Sequence, residues 1–119
     1  MEATIVFDTG SNWLTVAAED CINCMSTAYD PDNSTKSILV SSTPISESYG
    51  SADLMGYQYK DYICLEKYSV GAPCIDNFDF MAIESQTGLL SGIDGILGLG
   101  ADKANGPLLL IAMQTSGLI

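Results

Sequence analysis

The sequence predicts an all-β fold with one short helix near its C-terminus. Short runs of β-branched and aromatic residues alternate with clusters of Gly, Pro, Asn, Asp and Ser along most of the chain. One late stretch combines helical spacing with a proline before it and a glycine after it. At 119 residues, the chain is expected to be one domain or part of one.

The first third of the chain contains three predicted strands, at residues 4–7, 13–16 and 38–40. The first strand stops at the turn-forming cluster Asp8-Thr9-Gly10-Ser11. Residues 19–37 are polar and rich in turn-forming types, so we expect a loop there.

The rest of the chain begins with a predicted hairpin, whose strands are residues 45–49 and 54–65 and whose turn is residues 50–53. An edge strand is predicted at 68–70 and another strand at 78–83, followed by the glycine-punctuated segment 92–100. The helix is predicted over residues 108–115, beginning after Pro107 and ending near Gly117.

Charge and composition exclude several classes of function. Fifteen carboxylates face four lysines and no arginine, a net charge of −11, so no cationic surface is available for nucleic acid or for an anionic membrane. The longest apolar run, residues 107–113, is far shorter than the ~20 residues of a membrane span. The acidity suits a protein that works at low pH, where fewer carboxylates are charged and self-repulsion falls.

The chain contains no histidine, which excludes Ser-His-Asp and Cys-His catalysis and histidine-based zinc sites. It also lacks the glycine-rich motifs that bind nucleotide phosphates. Any catalysis must therefore use carboxylates, hydroxyls, thiols or lysine, and no cofactor is expected.

The first segment whose side chains could take part in catalysis is Phe7-Asp8-Thr9-Gly10-Ser11. An aspartate in a turn directly after a strand lies at the end of a rigid element. Backbone N–H groups of such a turn can point at the carboxylate and stabilise its ionised form. The hydroxyl of Thr9 can donate and accept hydrogen bonds, and Gly10 allows another backbone to approach closely.

The second segment is Gly92-Ile93-Asp94-Gly95-Ile96-Leu97-Gly98-Leu99-Gly100, where two apolar residues precede Gly98. Together the two segments resemble the N-terminal lobe of pepsin-like aspartic proteases (family A1). In that family, an apolar-apolar-Asp-Thr-Gly-Ser strand meets an apolar-apolar-Gly strand and forms the loop that holds a catalytic aspartate. The resemblance implies a β-barrel lobe with one short C-terminal helix, and Asp94 is interpreted as structural.

The resemblance assigns roles to individual residues. Asp8 is the expected catalytic carboxylate, supported by Thr9, Gly10 and Ser11. Ser11 lies where the family often has a hydroxyl that is hydrogen-bonded to the catalytic carboxylate. Tyr49, Gly50 and Ser51 are similar to the tip of the family's flap, a hairpin that closes over a bound peptide. Trp13 stands two positions before the place where the family commonly has a tryptophan, and Thr15 occupies that place.

The resemblance also implies the reaction. Two aspartates sharing one proton activate water for peptide hydrolysis, and this chain contains one Asp-Thr-Gly. Residues 1–119 are therefore expected to be part of an N-terminal lobe, without the family's first strands and without the C-terminal lobe. The expected partners are a peptide or protein substrate and a second lobe or second copy of the chain. Two alternatives are a pepsin-like module that binds peptide or protein without cleaving it, and a single-lobe protease active as a homodimer.

Four cysteines indicate an oxidising compartment. The N-terminus has no signal peptide, so we expect the chain to be a piece of a longer protein from a secreted or acidic vacuolar or lysosomal compartment. The spacing of Cys64 and Cys74 argues against zinc, and the absence of a βαβ pattern argues against redox work by Cys21 and Cys24. Of three connectivities we favour Cys21–Cys24 with Cys64–Cys74. Asn33-Ser34-Thr35 is a glycosylation acceptor if the chain is secreted.

Overall fold

The computed structural model describes residues 3–8, 11–24, 29–49, 52–65, 71–88, 93–100 and 109–118, with Tyr49 through its backbone only. The strands are β1 (Ile5–Asp8), β2 (Leu14–Ile22), β3 (Ile38–Leu39), β4 (Ile45–Tyr49), β5 (Ala52–Cys64), β6 (Cys74–Thr87) and β7 (Gly95–Gly98), and helix α1 is Leu109–Thr115. This confirms the prediction of an all-β chain with one short C-terminal helix. Within the described part of the chain, no helix has the length and apolarity needed to span a bilayer.

The described strands form one sheet in the order β1-β7-β2-β6-β5-β3, and β4 pairs with β5 beside this path. Strand β7 is parallel to β1 and antiparallel to β2, while β2 is parallel to β6. Strands β5 and β6 pair along most of their length, and the disulfide Cys64–Cys74 joins their paired ends. The sheet thus brings β7, which is late in the sequence, between the first two strands.

Most of the buried core side chains come from β2 and β6. Phe80, Met81 and Ile83 are completely buried, because β6 is covered by neighbours on both sides and both of its faces pack. Tyr29 packs edge-on against Tyr59 and Phe80, with ring centroids 5.8 and 4.9 Å away. A second, smaller cluster contains Leu54, Met81 and Ile83, with Trp13, Ile45 and the disulfide-bonded Cys21 and Cys24 packed against it.

One buried carboxylate is satisfied by hydrogen bonds. Asp61 is 5% exposed and accepts hydrogen bonds from the Tyr29 hydroxyl at 2.8 Å, from the Ser34 hydroxyl at 3.0 Å and from the Tyr62 amide at 2.7 Å. Burial raises the pKa of the Tyr29 hydroxyl well above its ordinary value, so this donor stays protonated. The hydrogen bonds connect β5 to the 29–34 segment.

The structure corrects three boundaries. Residues 19–22 were expected in a loop but continue β2, because the Glu19 amide donates to the Tyr29 carbonyl at 2.7 Å and Ile22 pairs with Ser85. Ala52 and Asp53 were expected in a turn but pair with Tyr49 and Ser48. Strand β6 begins at Cys74, four residues before the predicted strand at 78–83. In each case pairing with a distant strand overrides local turn chemistry.

The end of α1 follows the sequence prediction. Gly117 has φ of +78°, its amide donates to the Gln114 carbonyl, and the Leu118 amide donates to the Met113 carbonyl. These two bonds form a Schellman motif, which favours glycine at its left-handed position. The predicted edge strand at 68–70, Pro107 and Leu108 lie outside the described residues.

Candidate active site

Asp8 lies at the last position of β1, directly beside the glycine-bearing strand. The parallel register of β1 and β7 places Ile5, Val6, Phe7 and Asp8 next to Gly95, Ile96, Leu97 and Gly98. The Leu99 amide donates to the Asp8 carbonyl at 2.8 Å. The structure therefore brings together the two sequence segments on which the resemblance depended. We call β1, β7 and residues 11–16 the Asp8 ribbon.

Residues 11–13 cross closely against the end of β7. The Gly98 amide donates to the Trp13 carbonyl and the Gly100 amide donates to the Ser11 carbonyl, both at 2.9 Å. A side chain at position 98 would overlap the backbone of Ser11 and Asn12. The glycine of the apolar-apolar-Gly strand is thus required by backbone-to-backbone contact.

Thr15 contributes to the Asp8 ribbon in a way that the sequence did not reveal. Its side chain is completely buried, and its hydroxyl accepts a hydrogen bond from the Ile96 amide at 3.1 Å and donates to the Ile96 carbonyl at 3.4 Å. Gly95 pairs with Val16, and a Cβ at Gly95 would overlap the Thr15 carbonyl. The sequence feature that could have indicated this role is a small, β-branched residue with a hydroxyl inside an otherwise apolar strand.

The predicted supporting residues are only partly described. The Ser11 hydroxyl is buried and makes no hydrogen bond among the described residues, whereas the resemblance led us to expect a bond to the Asp8 carboxylate. Thr9, Gly10, Gly50 and Ser51 lie outside the described residues. Tyr49 ends β4, and its backbone pairs with Ala52, so β4 and β5 form an antiparallel pair on either side of residues 50–51.

A cleft of about 360 Å³ lies beside this hairpin, and Asp8 is not one of its described lining residues. Its described lining is mostly polar and comprises Asn23, Ser46, Glu47, Ser48, Asp53, Leu54, Met55, Ser85, Gln86 and Thr87. The Gln86 amide donates to the Asn23 carbonyl and so fixes the Cys21–Cys24 loop against β6.

Three glutamates have raised pKa values, each for a physical reason. Burial and a hydrogen bond with Asp20 raise the pKa of Glu84 to about 7. A hydrogen bond with Asp30 and the negative charge of Asp30 raise the pKa of Glu19. Burial raises the pKa of Glu47, opposed by a hydrogen bond from the Trp13 side chain.

All four cysteines form disulfides, Cys21 with Cys24 and Cys64 with Cys74. This is the connectivity favoured from the sequence, and it excludes the zinc and free-thiol alternatives for these residues. Cys21–Cys24 closes a short loop at the end of β2, and Cys64–Cys74 closes the far end of the β5–β6 pair.

The sheet and the crossing at Gly98 define the class: an all-β lobe that presents an aspartate from a ribbon of adjacent strands, as pepsin-like acid proteases do. The family model of eukaryotic aspartyl proteases matches residues 1–110, and the chain belongs to that family.

Two curated relatives agree with this assignment. The chain is 33% identical over 104 residues to a vacuolar aspartic protease of Candida albicans, covering 82% of this chain and 23% of that protein. It is 29% identical over 132 residues to an aspartyl protease family protein of Arabidopsis thaliana, covering 89% of this chain and 27% of that protein. The chain thus spans about a quarter of the length of these relatives.

Proposed function

We propose that this chain provides one of the two catalytic aspartates, Asp8, of an aspartic endopeptidase. The observation that carries the proposal is the pairing of Asp8 with Gly98 on the β1–β7 ribbon. A carboxylate held at the end of a paired strand keeps a fixed position, as a group that activates water requires. The proposal covers residues 1–119 as part of an N-terminal lobe.

In the proposed reaction, Asp8 faces a second aspartate and the pair holds one proton, since two carboxylates ~3 Å apart do not both ionise. The ionised member removes a proton from water, which attacks the carbonyl carbon of the peptide bond. The protonated member donates a hydrogen bond to the carbonyl oxygen. Proton transfer to the leaving nitrogen then breaks the C–N bond and yields a carboxylic acid and an amine. Thr9 would support Asp8, and Ser11 would fix the crossing beside β7 through its carbonyl, which accepts a hydrogen bond from the Gly100 amide. No cofactor takes part in this scheme.

The β4–β5 hairpin would serve as the flap, with Tyr49, Gly50 and Ser51 at its tip. An extended peptide can hydrogen-bond to the backbone of such an edge in the manner of an added strand. Closure of the hairpin would exclude bulk water and orient the peptide. The substrate is accordingly a peptide or an extended segment of a protein.

The second aspartate is proposed to come from a second lobe or a second copy of the chain, because Asp-Thr-Gly occurs once in these 119 residues. A two-fold homodimer would place two copies of the same carboxylate together. The net charge of −11 opposes that association at neutral pH and opposes it less in acid. The acidic composition and the two disulfides support a vacuolar or secreted location.

The experiment is a cleavage assay at pH 3–5 with a fluorogenic peptide library, combined with sedimentation to count chains. We expect no cleavage from the monomer, and pepstatin-sensitive cleavage when a lobe carrying the second Asp-Thr/Ser-Gly is added. Cleavage that rises with the square of chain concentration would identify the homodimer as the source of the second aspartate. Pepstatin-sensitive cleavage by a demonstrated monomer would contradict the proposal, and binding of peptides without cleavage in every combination would favour a non-catalytic module.

A further inference from the structure

Three consecutive aliphatic residues are exposed at one edge of the sheet. Ile38, Leu39 and Val40 are 52%, 50% and 41% exposed. Strand β3 stands last in the sheet order and, among the described strands, pairs with β5 alone. The nearby Tyr62 on β5 is 37% exposed. We call residues 36–40 together with Lys60 and Tyr62 the β3 edge.

The backbone of β3 directs hydrogen-bonding groups to its open side. Leu39 lies opposite Tyr59 in the antiparallel pair with β5. The next amide, that of Val40, donates to the Gln58 carbonyl at 2.9 Å. Successive residues of an antiparallel strand direct their N–H and C=O groups alternately toward the partner and away from it. The amide and the carbonyl of Leu39 therefore point away from β5, where a further strand can pair.

The two lysines that the structure describes both belong to the β3 edge, although the chain as a whole has a net charge of −11. Lys60 pairs directly with Ile38. The ammonium of Lys36 lies 4.4 Å from the centre of the Tyr62 ring, in a cation–π contact. Exposed apolar side chains and the described cations therefore occupy the same edge of the sheet.

Neither ammonium forms an ion pair with a carboxylate of the described residues. Asp79 on β6 lies opposite Lys60, but its carboxylate accepts a hydrogen bond from the Gln58 side chain at 2.9 Å. Asp61, the next residue on β5, is buried and hydrogen-bonded to the 29–34 segment. Both cations are accordingly available to an anionic partner.

The register of the β3–β5 pair specifies the sequence pattern of a matching strand. Residues directly opposite each other share a face of the sheet, so Ile38 and Lys60 lie on one face and Leu39 lies on the other. A strand added beside β3 therefore matches this edge when acidic residues occupy the Lys60 face and apolar residues occupy the Leu39 face.

Charge distinguishes β3 from the other described strands that have an open side. Strand β1, at the opposite end of the sheet order, ends in Asp8, and β4 pairs with β5 alone and contains Glu47. These carboxylates repel an acidic strand, whereas Lys36 and Lys60 attract one. Lysines beside an open edge also oppose pairing with strands that offer them no anion. The β3 edge is thus selective for acidic partners.

We propose that the β3 edge is a docking surface for an extended segment of a partner protein in which acidic and apolar residues alternate. The segment adds as a strand, and its backbone pairs with the amide and the carbonyl of Leu39. Its apolar side chains cover Leu39, and its carboxylates bind the ammonium groups of Lys36 and Lys60. The proposal does not depend on peptidase activity, because the β3 edge and the strand that carries Asp8 stand at opposite ends of the sheet order.

The first measurement compares two short labelled peptides, in which Val alternates with Glu or with its neutral isostere Gln. Binding to the 119-residue chain is measured near neutral pH, where Glu is ionised. An ionic strength of about 0.15 M screens the distant carboxylates of the chain more than it weakens a direct contact. We expect the Glu peptide to bind about tenfold more tightly than the Gln peptide. Equal binding of the two peptides would overturn the proposal.

Lysine variants test the charged part of the contact. Lys36→Gln and Lys60→Gln each remove one cation, and each should weaken binding of the Glu peptide about threefold. Gln114→Glu lowers the net charge by the same amount at an exposed position of α1, and should change binding less than about 1.5-fold. Equal weakening in all three variants would show that net charge sets the affinity and would refute the proposal, as would unchanged binding in both lysine variants.

Leucine variants test the apolar part of the contact. Leu39→Ser removes the side chain that the peptide covers and should weaken binding about tenfold. Leu110→Ser is the matched control, because it changes a leucine of α1 that is 56% exposed, and binding should stay within about 1.5-fold. Urea denaturation confirms that each variant folds. Unchanged binding in folded Leu39→Ser would contradict the docking surface.

Amide hydrogen exchange shows which strand the peptide joins. The bound Glu peptide should slow exchange of the Leu39 amide about tenfold or more. Protection of residues 45–49 instead would place the peptide on β4, and self-association of the chain that Leu39→Ser abolishes would identify a second copy as the occupant. Binding of phosphatidylserine vesicles in place of the peptide would assign the edge to a membrane. Each of these three results would overturn the proposal.

Asp8→Asn separates this inference from the proposed function. The variant should abolish any peptidase activity and leave binding of the Glu peptide unchanged, and pepstatin should not compete with the peptide. Loss of binding in folded Asp8→Asn would place the peptide at the proposed active site and overturn the docking surface. Failure of the proposed function and failure of this inference therefore give different results.

Discussion

The two ends of β2 are stabilised by different kinds of interaction. At its start, Leu14, Thr15 and Val16 are buried between β7 and β6 and are fixed by backbone hydrogen bonds and glycine contacts. At its end, Glu19 and Asp20 are exposed and bonded to the carboxyl groups of Asp30 and Glu84. The first end pairs with β7, the strand beside Asp8, and its residues 14–16 do not titrate. The second end is most stable when its carboxyl pairs hold protons.

The geometry of the Asp8 ribbon is therefore expected to be independent of pH, whereas the acidic end of β2 is expected to respond to pH. Backbone hydrogen bonds and close packing do not change between pH 3 and pH 7, so the ribbon that carries Asp8 keeps its geometry across that range. A carboxyl pair that shares a proton loses that hydrogen bond when both groups ionise. The chain is accordingly expected to be most stable in acid, and the loss at neutral pH should begin at the acidic end of β2.

The largest expected effect is on the Asp8 ribbon. Gly98→Ala would force a Cβ into the backbone of Ser11 and Asn12, so we expect a loss of about 3 kcal/mol or more in the free energy of unfolding, independent of pH. Gly117→Ala is the control: its left-handed φ costs about 1 kcal/mol, with no atom to overlap. Urea denaturation measures both. Equal losses in the two variants would contradict the close crossing at Gly98.

The next effect concerns Thr15. Thr15→Val keeps the shape of the side chain but removes the hydroxyl that bonds to both Ile96 backbone groups, and should cost about 1–2 kcal/mol at every pH. Thr87→Val changes an exposed threonine of β6 and should stay within about 0.5 kcal/mol. If the two variants unfold at the same urea concentration, the buried hydroxyl has no role in the ribbon.

Glu84 is expected to affect stability by about as much as the Thr15 hydroxyl does, but its effect depends on pH. Its pKa of about 7 lies above the value in the unfolded chain, so its contribution is complete below about pH 4.5 and disappears as pH rises through 7. With solvent screening included, the change is about 1–2 kcal/mol. Glu84→Gln keeps a hydrogen-bond donor toward Asp20 and should flatten this part of the stability profile. A profile that stays as steep in Glu84→Gln would assign the acid effect to other groups.

The smallest effect is expected at Glu19, which is exposed. Its hydrogen bond with Asp30 raises its pKa, so Glu19→Gln should also reduce the loss of stability toward neutral pH, by less than Glu84→Gln does. Unfolding midpoints at pH 4 and pH 7 test the order of the two variants. A larger effect of Glu19→Gln than of Glu84→Gln would contradict this order. It would mean that burial of Glu84 contributes less to the pH dependence of stability than the exposed contact between Glu19 and Asp30 does.

The pairing of the two segments in the Asp8 ribbon could be predicted from the sequence, because close contact between two backbones requires glycine at the contact position. Gly98 had to be glycine, and the run of apolar residues before it identified a buried strand. The hairpin at 45–56 and the Schellman end of α1 were predicted for the same kind of reason, through alternation on the strands and through Gly117.

The sequence did not predict the second half of β2. Residues 19 and 20 are acidic and exposed, and the pairing of this segment with Tyr29 and Ser85 is what makes residues 19–22 a strand. Such links depend on how distant strands are arranged, which local pattern does not encode.

The most direct test of the central claim is kcat in the assembled protease, with Asp8→Asn compared with Asp94→Asn. Asp94 directly precedes β7, and its carboxylate accepts a hydrogen bond from the Thr4 amide at 2.7 Å. We expect Asp8→Asn to lower kcat by about a thousandfold or more, while the unfolding midpoint stays close to that of the unmodified protein, and Asp94→Asn to lower kcat by less than tenfold. An Asp8→Asn protease that keeps its kcat would contradict the assignment of Asp8 as a catalytic carboxylate.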